Sequence, residues 1–363
     1  MLFSRRFGAF PERAIQSFEN FRHPRALAAA LLGAALGLTA CDPGETGDEP
    51  EQDINAVDVT VTAAMDAVNG GSGAVAFVPN AETPWAGLIV AAPLDGGLDI
   101  FNVDGEALER VTGPRLNSLA VSPGFALRGE SLPLIVGVDG SSGTVRGYVL
   151  VRSEPTAIEA PLAPIEPEGG ASAVCFIDEA PGHLDIAVLG REARVTTWRI
   201  RDTGGDLIGA EQTGSYALPA PARTCASFQD ELYVAGPTLS VTRINASGAV
   251  EARGAPSAQS LSAGILLGRP VVIATGGTTG GLALLDGRDL SVLQNLQIVD
   301  GMSTPGVEDP AFVAMTTESY GGTAYQSGIV AVVDGTDDRI RFIARETFAR
   351  ALSPNAGPDS LGG

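Results

Sequence analysis

The chain has 363 residues and a formal net charge of −20, from 23 basic and 43 acidic side chains, so nucleic acid and anionic lipid surfaces are poor partners for it. No basic residue is a lysine and only 2 residues are histidine, which excludes Schiff-base chemistry, a P-loop lysine, a Ser-Lys dyad and a histidine-rich zinc site. Its 46 glycines and 24 prolines punctuate short apolar runs with almost no helical periodicity, the pattern of an all-β protein.

In chain order, Arg22 and Arg25 precede the apolar run Ala26 to Leu38, which ends in Leu38-Thr39-Ala40-Cys41. At about a dozen residues the run is too short to span a bilayer and fits a secretory signal. Small residues leading into a cysteine make the segment similar to a bacterial lipoprotein signal. That resemblance implies that residues 1–40 are removed and that Cys41 is acylated. The chain would then be held by a lipid anchor in the bacterial cell envelope, periplasmic or at the outer surface. Residues 41–55 continue as DPGETGDEPEQDIN after the cysteine, an acidic flexible linker. The leader carries five arginines and two glutamates, so its loss leaves the remainder more negative.

A hairpin-like block recurs six times between Gly87 and Ile343, with starts separated by 47, 50, 48, 38 and 57 residues. The copies begin at Gly87, Leu134, Leu184, Leu232, Pro270 and Ser327. Each is two apolar runs joined by a turn rich in Gly, Asp or Ser, and the period is that of a four-stranded propeller blade. Residues 56–350 are therefore expected to form a six-bladed β-propeller of four-stranded antiparallel blades, with 351–363 as a tail. Ala56 to Val61 alternates well enough to close the last blade.

Cys175 and Cys225 occupy matching places in successive copies, on neighbouring inner strands. That placement predicts a disulfide in an exported protein; the alternative is two buried thiols. His183, in APGHLD, reads as a turn residue, and no GxSxG elbow accompanies it. Asp-Gly pairs at 95–96, 104–105, 139–140, 286–287, 300–301 and 334–335 read as tight turns in which glycine supplies positive φ. The functional alternative is that their carboxylates converge on calcium.

The ordered blocks resemble the β-propeller phytases, from about Ala74 to Phe342. The resemblance is carried by Gly96, Gly97, Leu98, Asp104, Gly105, Arg115, Leu116 and Asn117, by Cys175 and Cys225, by Asp230-Glu231, and by Asp300, Gly301, Ser303, Gly328, Asp334 and Gly335. It implies a calcium-dependent phosphomonoesterase acting on phytate or another phosphorylated small molecule. Metal-bound water would be the nucleophile, with Arg115 on phosphate and Asn117 beside it. Several ligand positions of that family are replaced here, among them Ala120, Thr224 and Pro305. The remaining donors for a rearranged calcium site are Asp230, Glu231, Asp300, Glu308, Asp309 and Asp334, with Glu308-Asp309 standing in for the acid lost at Pro305. The competing expectation is a catalytically silent envelope propeller that binds a protein or a glycan. An apolar channel mouth would favour binding, and converging carboxylates would favour the enzyme.

Overall fold

The computed structural model describes residues 56–352 except 67, 69, 277–280 and 338. They form six four-stranded antiparallel blades around a central axis, a six-bladed β-propeller. The innermost strands are Ser72–Val78, Leu116–Leu127, Ala171–Ala180, Thr224–Phe228, Leu261–Leu266 and Pro310–Thr316, for blades 1 to 6 in turn. Each packs against the next, and that of blade 6 packs against that of blade 1, so the ring is closed.

The six sequence copies are the second and third strands of each blade. The Leu134 copy, for instance, lies in Glu130–Asp139 and Val145–Val151. These middle strands are covered on both sides by neighbouring blades, which is why Leu88–Pro93 and Ile329–Asp334 are buried along their whole length. An outermost strand has one open edge, and Ala107–Val111 is almost entirely exposed. Six apolar clusters fill the seams between neighbouring blades. The blades are therefore held by side-chain packing across seams, while hydrogen-bond ladders hold each blade internally.

Hydroxyl groups clasp the inner strands together. Ser118 Oγ accepts the Val174 N–H at 2.8 Å, Thr224 Oγ1 that of Leu261 at 3.2 Å, and Ser262 Oγ that of Met315 at 2.8 Å. The first residues of all inner strands lie at one end of the ring, here the upper face, and the strands all run from there toward the lower face. The upper face carries the links between blades and the turns joining second to third strands. The lower face carries the first-to-second and third-to-fourth turns.

Closure differs from the expectation for Ala56 to Val61. Val57–Thr60 pairs in parallel with Val292–Val299 as a fifth strand of blade 5, and the closing strand of blade 6 is Ala63–Ala64, paired with Phe342 and Arg341. One extended segment thus serves two blades. Val61 N–H still bonds Val299, while Thr62 N–H already bonds Phe342, at 3.2 and 2.8 Å. The helix Arg345–Ala351 then buries Phe348 in the seam between blades 5 and 6.

Cys175 and Cys225 are joined as a disulfide, with Cα atoms 6.0 Å apart, linking the inner strands of blades 3 and 4. The Asp-Gly pairs do form turns, but the reason for glycine varies. Gly96 and Gly105 have φ of 96° and 84°. Gly140 and Gly335 are needed instead because a Cβ there would lie 2.3 Å from Asn117 Oδ1 and 2.6 Å from Asp309 Oδ2.

Candidate functional site

The residues singled out for catalysis and calcium lie on both faces of the ring. Arg115, Asn117, Asp300, Glu308, Asp309 and Asp334 are on the upper face, whereas Asp230 and Glu231 form the turn between Thr224–Phe228 and Glu231–Gly236 on the lower face. No group of three or more His, Cys, Asp or Glu side chains is gathered for a metal ion among the described residues.

Two of these acids, Asp334 and Asp300, are engaged with backbone N–H groups. Asp334, 2% exposed, accepts the N–H groups of Asp309 and Thr336 and the Thr336 hydroxyl on Oδ1, at 3.2, 3.0 and 2.8 Å. Its Oδ2 accepts the Glu308 N–H at 3.2 Å. Asp300 accepts the Gly306 N–H at 2.7 Å, which fixes the link into blade 6. Asp139 does the same work at the equivalent turn of blade 2, accepting from Ser141 at 2.9 and 2.7 Å. Burial alone would raise the Asp139 pKa, but the hydrogen bonds from Ser141 and Ser142 hold it below the ordinary value. Such an Asp turn satisfies several N–H donors at once, which gives these carboxylates a structural use.

A cation also sits among these acids. Arg341, 1% exposed, donates from Nε to the Pro305 carbonyl at 3.0 Å and from Nη2 to Asp337. Burial would raise the Asp337 pKa, but the hydrogen bonds from Arg341 and Arg339 and the charges of both arginines together hold it below the ordinary value. On the lower face, burial pushes the Glu231 carboxyl up against the opposing effect of Arg243, whose Nη1 is 3.8 Å away. The donor set therefore does not fit one calcium centre. Arg115 is exposed, and Asn117 leans over Gly140 at the channel mouth. His183 begins the second strand of blade 3, partly buried, with Nε2 3.9 Å from Asp185 Oδ2. Cys41 and the leader lie outside the described residues.

The axial channel is a cavity of about 790 Å³ to which all six blades contribute. Among the described residues, Arg223 and Glu318 are the only charged side chains lining it. Its mouths are thus poor in carboxylates, and its walls are mainly Ala, Val, Leu and Phe.

The lower face is asymmetric. Four blades turn from first to second strand with tight hairpins, as at Arg128-Gly129 and Leu267-Gly268. Blades 1 and 6 instead insert longer loops, between Val78 and Leu88 and between Thr316 and Ile329. The two loops pack together. Tyr320, 1% exposed, stacks edge-on against Phe77 at 5.7 Å between ring centroids and donates its hydroxyl to the Leu88 carbonyl at 3.2 Å. Gly321 lies against Trp85. On this rigid base Trp85 stands 69% exposed. Sequence reasoning passed over Arg341, the hydroxyl clasps and this platform. The one available signal was the 57-residue spacing before the last copy, which contains the inserted loop of blade 6.

No protein-family model and no curated protein matches the chain. Among solved structures it is similar to BBS1N in complex with ARL6DN. A mercury-soaked crystal aligns at 11% identity over 70% of this chain and 73% of that one, with a TM-score of 0.45. A lead-soaked crystal of the same complex aligns at 12% identity over 75% and 79%, with a TM-score of 0.48. The structure of U3-55K aligns at 11% identity over 78% of this chain and 98% of that one, with a TM-score of 0.46. These likenesses concern the propeller fold alone.

Proposed function

We propose that the chain is a catalytically silent binding propeller of the cell envelope, held by lipid on Cys41 through its acidic linker, that takes a protein partner on its lower face. The observation that carries this reading is Trp85, held 69% exposed on a platform built from two packed loops. Fully solvating a large aromatic ring is unfavourable, and exposed tryptophans on rigid supports are typical anchors of protein interfaces. The use of Asp334, Asp300 and Asp139 as turn fasteners supports the same reading, and among the described residues no carboxylate cluster is gathered for metal-assisted hydrolysis.

Placing a photo-crosslinking side chain at Trp85 in the full chain, in its native cells, tests this reading. The expected result is a protein adduct of discrete mass from position 85 and none from the exposed Asp95 on the upper face. Adducts only from position 95, or adducts of glycan rather than protein, would overturn it.

A further inference from the structure

The axial channel has a chemical gradient that the docking of a protein on the lower face does not use. Each innermost strand places alanine in the wall: Ala76, Ala120, Ala173, Ala226 and Ala263, and in blade 6 both Ala311 and Ala314. This girdle of small side chains is why the axis holds about 790 Å³ instead of a packed core, a volume within the range of roughly 300–1,000 Å³ usual for small-molecule pockets. Above the girdle the wall carries polar groups beside the apolar Leu94 and Phe312. Ser72 opens its strand, Asn117 is the second residue of its own, and Arg223 and Gln259 lie just before theirs. Below the girdle the wall gathers large apolar side chains, with Phe77, Phe228 and Met315 at or next to the ends of their strands and Phe176 level with Ser227, whose hydroxyl donates to its carbonyl, while Thr316 and Thr317 add hydroxyls at the rim. The absence of a side chain at Gly264 lets the Met315 methyl lie against the wall, since a Cβ there would be 2.5 Å from it.

The two charged groups stand at opposite ends. Arg223 is exposed at the upper mouth, and its guanidinium has no carboxylate within ion-pair distance among the described residues. Glu318 is at the lower rim. An uncompensated cation above an aromatic pocket, with a carboxylate at the far end, fixes both the charge and the orientation of a guest. We infer that the channel binds an amphipathic organic anion, its carboxylate or sulfonate on Arg223 and its apolar body among the phenylalanines below. Apolar burial supplies the affinity, and the charge-assisted contact at Arg223 sets the direction. The inference is independent of the partner surface at Trp85, which lies outside the channel.

The test is fluorescence titration of the intact chain with 1-anilinonaphthalene-8-sulfonate, followed by displacement with decanoate. The expected result is saturable one-to-one binding, reversed by decanoate. Arg223→Gln should weaken it about tenfold, the loss of one charge-assisted hydrogen bond. Arg191→Gln, at another arginine of the upper face that does not line the channel, should leave it unchanged. Ala226→Phe should fill the girdle and abolish binding. Arg223 is exposed, so its replacement leaves the fold intact and carries the test even if the phenylalanine variant does not fold. Non-saturable dye uptake, or equal affinity in the wild type and Arg223→Gln, would overturn the inference.

Discussion

Replacing Cys175 and Cys225 together by alanine is expected to lower the unfolding free energy by about 4 kcal/mol, the chain-entropy value for a closed loop of about 50 residues. The bridge spans a sequence separation of 50, and its loop contains almost all of blade 3. Without it, that blade is tied to blade 4 only by its outer strand and by seam contacts, among them Ser172 Oγ to the Ala222 carbonyl at 3.0 Å. Urea unfolding monitored by circular dichroism provides the measurement, and reducing the wild type with dithiothreitol should reproduce most of the loss. A change below about 1 kcal/mol would mean that the seam alone holds the two blades.

A second large effect is expected at the closure. Val59 is fully buried in the cluster between blades 5 and 6 and pairs with Ile298, so Val59→Asp places a carboxylate there with no cation to meet it. The cost should reach about 4 kcal/mol or more, because burial of an unpaired charge adds to the loss of apolar contact. The damage also spreads. The segment continues through Thr62, whose Oγ1 accepts the Ala344 N–H at 3.0 Å, into the closing strand of blade 6. Thr60→Asp, one position on and exposed, is the control and should change stability by less than about 0.5 kcal/mol. Thermal melts of the two variants give the comparison. Equal melts would show that the N-terminal segment contributes nothing to closure.

The fold was legible where burial is two-sided. Strands such as Leu88–Pro93 and Ile329–Asp334 must be apolar at every position, and this made the six copies visible. The inner strands were harder to find. Their channel side favours small residues such as Ala120 and Ala226, and hydroxyls such as Ser118 and Thr224 are spent on clasping the next blade. The match of Cys175 to Cys225 was readable because equivalent positions in adjacent blades are neighbours around the ring. The closure was misplaced because alternation identifies a strand without naming its partner. Val57–Thr60 alternates equally well in parallel beside blade 5.

The candidate site was the least legible part. Asp334, Asp300, Glu308 and Asp309 do lie on the same face, as their proximity in sequence suggests. A carboxylate that fastens a turn and one that waits for calcium look alike in a sequence, however. Only the N–H donors around Asp334 distinguish them. Asp230 and Glu231 belong to the opposite face because a first-to-second-strand turn always does. The exposed Trp85 owes its setting to Tyr320, a residue of the last blade that is its neighbour only after the ring has closed.

The central claim is that Asp139, Asp300 and Asp334 are structural fasteners of a binding propeller, and a calcium titration tests it most directly. The intact chain is melted with and without 5 mM calcium chloride, and both samples are assayed for phosphate release from phytate. Occupation of even a millimolar site would add about 1 kcal/mol at that concentration and raise the melting temperature by about 2 °C. The account predicts superimposable melts and no phosphate release, whereas a calcium-raised melting temperature together with phosphate release would contradict it.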